Sequence, residues 1–498
     1  MRGALPRTPA AAAGYAALMV ASLLPQSLRP WDTLAYVGDP LNSAYAIGWN
    51  VRQLLHAPAE IVNAPTLYPS PRVWLLAPHR LLSSIVAAPW VLATGNTVLG
   101  SNVALAVALM VAALGGRALG LRLGLSPPAA WVAGALYAFH TYQVSETARI
   151  QVVFHGFWPL ALVSLLEVWR SGRARHGWWL GLWVLLLALA DNYLLLYGVL
   201  LLALVAVALA VGWPRRAPRA LAAMALPAAA VALLYAPLVL AYRDAAAQYG
   251  FTRQPPVGID VQHYFTTAPG NLIYGQMGAP HRLQQRGPHF VGFAAIALSL
   301  LALLAWTVGQ GPVPGRALLA PRAWVPAAAL LALLFAALSL GREVAFFGRE
   351  LGPGPYRLLH AWPGFSYIRI PERLGLLVML FVGLLAGRGI DVLRGRGWRP
   401  AALGLGVLAL AEHLSPLPQT TRVPVGRGRP AVYRWLAESD ARALAEVPVH
   451  GENLVRKETI EEYFSTLHGK PIIHGYVSYP PLLGTLLRKT AGTFPADA

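Results

Sequence analysis

Asp32 and Asp39 stand just past the first apolar run of the chain, and Asp39 is followed at once by Pro40. A carboxylate in such a place can take a proton from a hydroxyl or help hold a hard divalent cation through oxygen. Asp39-Pro40 also reads as a helix start, with Asp39 as the N-cap and proline at the first helical position of a helix running to about His56. That seat would fix the carboxylate in space. Asp32 reads either as a cap or interfacial residue, or as a second oxygen ligand beside Asp39, in which case Mg²⁺ or Mn²⁺ suits the pair. No HxxxH or HExxH spacing argues for zinc, and the absence of cysteine rules out a thiolate site. Further on, "SYIRIPERLG" carries Arg369 and Arg373 around Pro371-Glu372 at the start of an apolar run. Two guanidiniums beside the free N–H groups of a helix start would hold a phosphate. The alternative is that they anchor the helix among lipid headgroups. Arg149 is a third candidate for the phosphate. His79, Glu146, His155, Asp191 and Asn192 are polar residues near the ends of apolar runs and are candidates to line a substrate site. Histidines in such places are more often hydrogen-bonded interface residues than catalysts, and His79 and His155 read that way too.

These residues must be positioned by apolar helices. The chain has 498 residues, 56% of them hydrophobic and only 12% charged, and its mean hydropathy is +0.51. A soluble chain of this length needs far more charge to cover its surface. Runs of spanning length instead predict an all-α polytopic membrane protein. The first run, about residues 10–28 behind Arg2 and Arg7, reads as an uncleaved anchor. The net charge of +19 could suggest nucleic acid, but no aromatic-interleaved basic segment supports that partner.

The arginines explain themselves as orientation signals. Five loops carry arginine and no acid: those with Arg117 and Arg122, with Arg170, Arg173 and Arg175, with Arg215, Arg216 and Arg219, with Arg316 and Arg322, and with Arg394, Arg396 and Arg399. By the positive-inside rule they are cytoplasmic. They alternate with mixed loops if the spans are 10–28, 97–116, 128–145, 152–169, 177–190, 193–211, 219–241, 290–309, 323–340, 372–392 and 401–416. That gives about eleven crossings, a cytoplasmic N-terminus and a C-terminal region outside. The apolar stretch 81–95 is short and reads as re-entrant or juxtamembrane. The 36-residue run 177–212 is too long for one crossing of a ~30 Å core, so "DNY" (191–193) marks a break. On this topology the polar residues of five loops share the outer face. Ionisable groups at membrane depth are costly and mark a functional site by default. Residues 1–417 form the transmembrane domain, with a long first outer loop over 29–96. Residues 418–498 change composition: "AVYRWLAES" reads as an amphipathic helix, "ALAEVPV" and "PIIHGYV" as strands, so a small α/β outer domain is expected.

The order of several motifs carries a family resemblance. "GDPLNSAYAIGWNVRQL" (38–54), "APTLYPSP" (64–71), "PHRLLSSIVAAPWVLATGN" (78–96), "QVVFHGFWPLAL" (151–162), "IDVQHYFTTAPGN" (259–271), "IRIPERLGLL" (368–377) and "STLHGKPIIHGYVSYPP" (465–481) resemble a large bacterial group of GT-C-type integral membrane glycosyltransferases. The resemblance implies transfer of a sugar from a polyprenyl-phosphate carrier in the plasma (inner) membrane to a glycan, lipid or protein acceptor outside. It implies that the first-loop acid, at Asp39, acts as general base or helps bind a metal. It implies that outer-loop arginines, here Arg369 and Arg373, hold the carrier phosphate. Two readings of another kind stay open: a flippase of lipid-linked saccharides, which should show internal repeats and broken helices at mid-depth, and a non-catalytic scaffold with the same fold.

Overall fold

A computed structural model describes residues 8–251, 256–275, 277, 287–309, 318–417, 420–446, 454–482 and 484–486. Among them six helices are long and apolar enough to cross a membrane: Thr97–Arg122, Ile150–Ser171, Asn192–Gly212, Pro214–Gln248, Pro321–Ser339 and Pro371–Gly395. Shorter apolar helices occupy Leu81–Thr94, Ala174–Ala190, Phe293–Thr307 and Arg399–Ala411, and further helices cover Thr8–Ser22 and Pro127–Phe139. The 371–395 helix is the centre of the bundle. Its apolar window is 94% buried, against 17% for the 214–248 helix at the rim. It packs on 127–139, 293–307 and 321–339.

Local chemistry sets several boundaries. The first helix stops at Ser22 rather than running to residue 28, because Pro25 lacks the N–H that a continuing helix needs. The expected 128–145 helix is two pieces. It ends at Phe139, His140 is extended, and a short helix over Thr141–Glu146 turns away. The His140 ring accepts no part in the helix ladder; its Nδ1 lies 3.1 Å from the Tyr137 carbonyl oxygen. The long apolar run does break at Asp191, whose carboxylate caps the next helix by accepting the Tyr193 N–H at 2.7 Å. The 81–94 helix has 14 residues, about 21 Å long, and falls short of a ~30 Å hydrocarbon core.

The segment beyond residue 418 is less a separate α/β domain than a clasp. Its helix Ala431–Glu438 coincides with the expected one. In place of two strands, an isolated parallel bridge joins Leu444 to Ile472; residues 447–449 of "ALAEVPV" lie outside the described residues. Its strand Thr421–Arg422 pairs antiparallel with Thr33–Leu34 of the first loop. Its helix Leu454–His468 packs on the helix Asp39–His56. Tyr463 and Phe464 of the former join Leu41 and Ala44 of the latter in one apolar cluster.

Candidate active site

The 39–56 helix starts with Asp39 as its first residue, and Gly38 rather than Asp39 is the cap. Gly38 has φ +148°, and a Cβ there would meet the Tyr36 ring at 2.9 Å, so glycine is required at this turn. Freed from capping, the Asp39 carboxylate turns toward other partners. Arg149 Nε lies 3.0 Å from its Oδ2. The Tyr476 hydroxyl donates to Oδ1 at 3.1 Å, and the Tyr36 hydroxyl reaches Oδ2 at 3.5 Å. The Asp39 side chain keeps 19% of its surface exposed, so a substrate hydroxyl can reach it.

A line of alternating charge continues inward from Asp39. Arg149 Nη1 pairs with Glu146 Oε1 at 2.8 Å, and Arg373 Nε pairs with Glu146 Oε2 at 3.3 Å. Glu146 is buried and sits at the end of the short 141–146 helix, so the turn at His140 is what delivers it. The Arg373 guanidinium stacks 5.2 Å from the Tyr193 ring centre, and the Tyr193 hydroxyl accepts the Arg369 backbone N–H at 3.1 Å. Asp191 adds negative charge near Arg373 and Arg80, and burial pushes its carboxyl up. The neighbouring Asn192 accepts from the Tyr235 hydroxyl.

The structure therefore brings Asp39, Glu146, Arg149, Asp191 and Arg373 together. Arg373 is not on an open face of the site. It is buried, because Glu146 and Tyr193 enclose it. Arg369 is half-buried, and its guanidinium has no hydrogen bond or ion pair among the described residues. His79 lies at the border. Its Nδ1 accepts the Leu81 N–H at 3.3 Å and caps the 81–94 helix, while Nε2 sits 3.5 Å from the Tyr235 hydroxyl. Burial holds its pKa down at about 4, so it is neutral. His155 is apart from the charge line. Its Nε2 is 2.7 Å from Gln143 Oε1 and its ring packs on Tyr137 and Trp158.

Asp32 is also apart. Arg29 grips both its oxygens, at 3.1 and 2.6 Å, and Thr33 donates to one of them. It pins the first loop where that loop pairs with Thr421–Arg422. Asp32 and Asp39 share no partner, and among the described residues no three His, Asp or Glu converge on a metal-sized space. The donors present do not fit Mg²⁺ or Mn²⁺ held between these two aspartates, since each carboxylate is already bound to a guanidinium.

Three functional candidates escaped the sequence reading. Arg80, Glu462 and Tyr476 reach the same region, the last two from the far end of the chain. The Asn42 amide donates to Glu462 Oε2 at 2.8 Å, and the Tyr476 N–H donates to Oε1 at 2.7 Å. The available signal was that Arg80 and Tyr476 fall inside two quoted motifs, "PHRLL" and "HGYVSYPP".

Burial pushes the Glu462 carboxyl up to about 8. An acid raised from its ordinary 4.5 stabilises the fold fully below pH 4.5, and that contribution is lost as pH climbs through about 8. Buried neutral histidines such as His79 act in the opposite sense, but only below about pH 6.5. Between pH 6.5 and 8.5 the thermal midpoint in detergent is thus expected to fall, and the slope should flatten in Glu462→Gln. Equal slopes in the two proteins would show that Glu462 ionises freely when folded.

No protein-family profile and no curated protein matches the sequence. Solved structures do match. The apo crystal structure of the Archaeoglobus fulgidus oligosaccharyltransferase aligns with a TM-score of 0.50 at 11% identity, over 94% of this chain and 64% of that one. The oligosaccharyltransferase AglB from the same organism, in complex with an inhibitory peptide and a dolichol-phosphate, aligns with a TM-score of 0.47 at 12% identity, over 94% and 64% of the two chains. This chain thus spans just under two thirds of the length of either. The backbone of this chain has the fold of the Archaeoglobus fulgidus oligosaccharyltransferase over 94% of its own length.

Proposed function

We propose that the protein transfers a sugar from a polyprenyl-phosphate carrier to an acceptor hydroxyl on the extracytoplasmic side of the plasma membrane. The observation that carries this reading is the Asp39 carboxylate, partly exposed and steered by Arg149 and Tyr476, at one end of a line of arginines. Asp39 takes the proton from the acceptor hydroxyl. The freed oxygen attacks the anomeric carbon, the bond from that carbon to the phosphate oxygen breaks, and the phosphate leaves with the electron pair. The departing charge needs fixed positive groups, and Arg149, Arg369 and Arg373 are the candidates. Arg149 would shift between Asp39 and phosphate, while Arg373 would act from behind through Glu146. The chemistry runs on Asp39 alone, with Asp32 as a loop pin. The sugar-transfer assay is decisive: purified protein in nanodiscs, with carriers bearing different sugars, should give a glycosylated product. Movement of lipid-linked saccharide across vesicles with no product under any donor would instead identify a flippase.

The side assignment rests on the arginine loops. We propose about eleven crossings, the shorter apolar helices included, with both the charge line and the C-terminal clasp outside. Reporter fusions at Arg173 and Glu438 are expected to report opposite sides of the membrane; Gly451, also suited by sequence, lies outside the described residues. Both reporters on one side would sink this topology and the side assignment of the site with it.

A further inference from the structure

Arg80 is a fully enclosed cation of this region with no counter-ion within 4.0 Å among the described residues; Arg369, also unpaired, is only half-buried. It is 4% exposed. Its guanidinium makes two long hydrogen bonds, from Nε to Gln151 Oε1 at 3.3 Å and from Nη1 to the Pro78 carbonyl at 3.4 Å. Arg149 and Arg373 each have a carboxylate within 3.3 Å, whereas Arg80 has none within 4.0 Å among the described residues; Asp39, Glu462 and Asp191 act on it only from farther away. A buried charge without a partner is costly, and it is kept where an anion completes it. Two further observations point the same way. Arg80 lines a cavity of about 30 Å³ shared with Asn42, Trp49, Trp74, Glu462 and Tyr476. Its backbone is left-handed, at φ 51° and ψ 27°, just before the 81–94 helix. A non-glycine residue holds that conformation when its surroundings over-determine it, which happens most at functional sites.

We infer that Arg80 is a further phosphate-binding residue of this site, holding the anionic oxygens of a phosphate ester in the cavity between the 39–56 helix and the C-terminal clasp, with the departing charge met by the arginines named above. This deepens the glycosyltransferase reading and rests on it for the identity of the ester as the carrier. The guanidinium supplies fork-shaped donors that fit phosphate oxygens. The neighbouring line Asp39–Arg149–Glu146–Arg373 is already charge-paired and so is less free to accept a new anion.

The test is direct binding to the full-length protein in nanodiscs, read by calorimetry and thermal shift. The probes are a short-chain prenyl monophosphate, the matching prenyl alcohol and inorganic phosphate. The prenyl phosphate should bind wild type and raise Tm, and the alcohol should not. Arg80→Gln should weaken the prenyl phosphate roughly 10- to 100-fold, as expected for hydrogen bonds to a charged group. Its unliganded Tm should be unchanged or higher, since it loses an uncompensated charge. Arg80→Lys keeps the charge without the fork and should lie between. A merely structural Arg80 predicts the reverse pattern, a lower unliganded Tm with wild-type Kd in both variants, and that result overturns the inference, as does a wild type that binds neither phosphate. Inorganic phosphate binding as tightly as the prenyl ester assigns the site to free phosphate; much weaker binding assigns it to the lipid. Arg80-dependent binding with no sugar transfer from any donor keeps this inference and sinks the glycosyltransferase reading. Wild-type transfer rates in Arg80→Gln do the opposite.

Discussion

Asp39→Asn is expected to lower sugar transfer by about 10²–10⁴, the usual worth of one positioned base. Folding should change little. Gly38, not Asp39, caps the 39–56 helix, so the helix start survives. Asparagine still accepts from the Tyr476 hydroxyl, though Arg149 loses one of its two carboxylate partners. That pair is partly exposed, and partly exposed ion pairs contribute little. Asp32→Asn should leave the rate within a few-fold, because Asp32 serves Arg29 and the loop. The measurement is initial-rate transfer with Tm recorded in parallel. Full activity in Asp39→Asn would move the base elsewhere. Equal loss in both variants, together with inhibition of wild type by a chelator, would restore a metal shared by the two aspartates.

The second large effect is on stability. Arg373→Ala should cost about 3–5 kcal/mol, the range for breaking a buried pair from one side. It leaves the Glu146 carboxylate facing Arg149 alone, and it removes the cation from the Tyr193 ring. The double variant Arg373→Met, Glu146→Leu should recover much of that loss, since it removes both buried charges. Arg369→Ala should leave stability nearly intact, as its guanidinium has no partner among the described residues. Unfolding in detergent, followed for all three proteins, checks the ordering. A stable Arg373→Ala with poor carrier binding would show that Arg373 works on ligand rather than on Glu146.

Much of the frame was legible because hydrophobic length is a one-dimensional signal. The runs near 97, 193, 219, 323 and 372 all became helices close to their expected bounds, and the break at Asp191 was visible as a polar interruption. Boundaries failed where one residue overrode the run, as Pro25 and His140 did. Asp39 was legible as an acid at a helix start. What its carboxylate touches was not, because Arg149 and Tyr476 lie 110 and 437 positions away along the chain. The pairing of Arg373 with Glu146 was hidden for the same reason; sequence could rank both as unusual but could not say that they satisfy each other. Arg80 was passed over because it opens a short apolar helix, where an arginine reads as an ordinary interfacial anchor.

The clasp between the two ends of the chain has a consequence for biosynthesis. Asp39 meets Tyr476, and Asn42 meets Glu462 and the Tyr476 carbonyl, across more than 400 positions. During translation the 39–56 helix leaves the ribosome early, yet its partners are made only after the bundle has been threaded into the bilayer. A nascent chain stopped before residue 454 therefore carries Asp39 without Tyr476 and Arg80 without the far wall of its cavity. On the proposed reading, competence waits for residues 454–476, so assembly of the bundle and onset of activity are separate events in the life of the molecule.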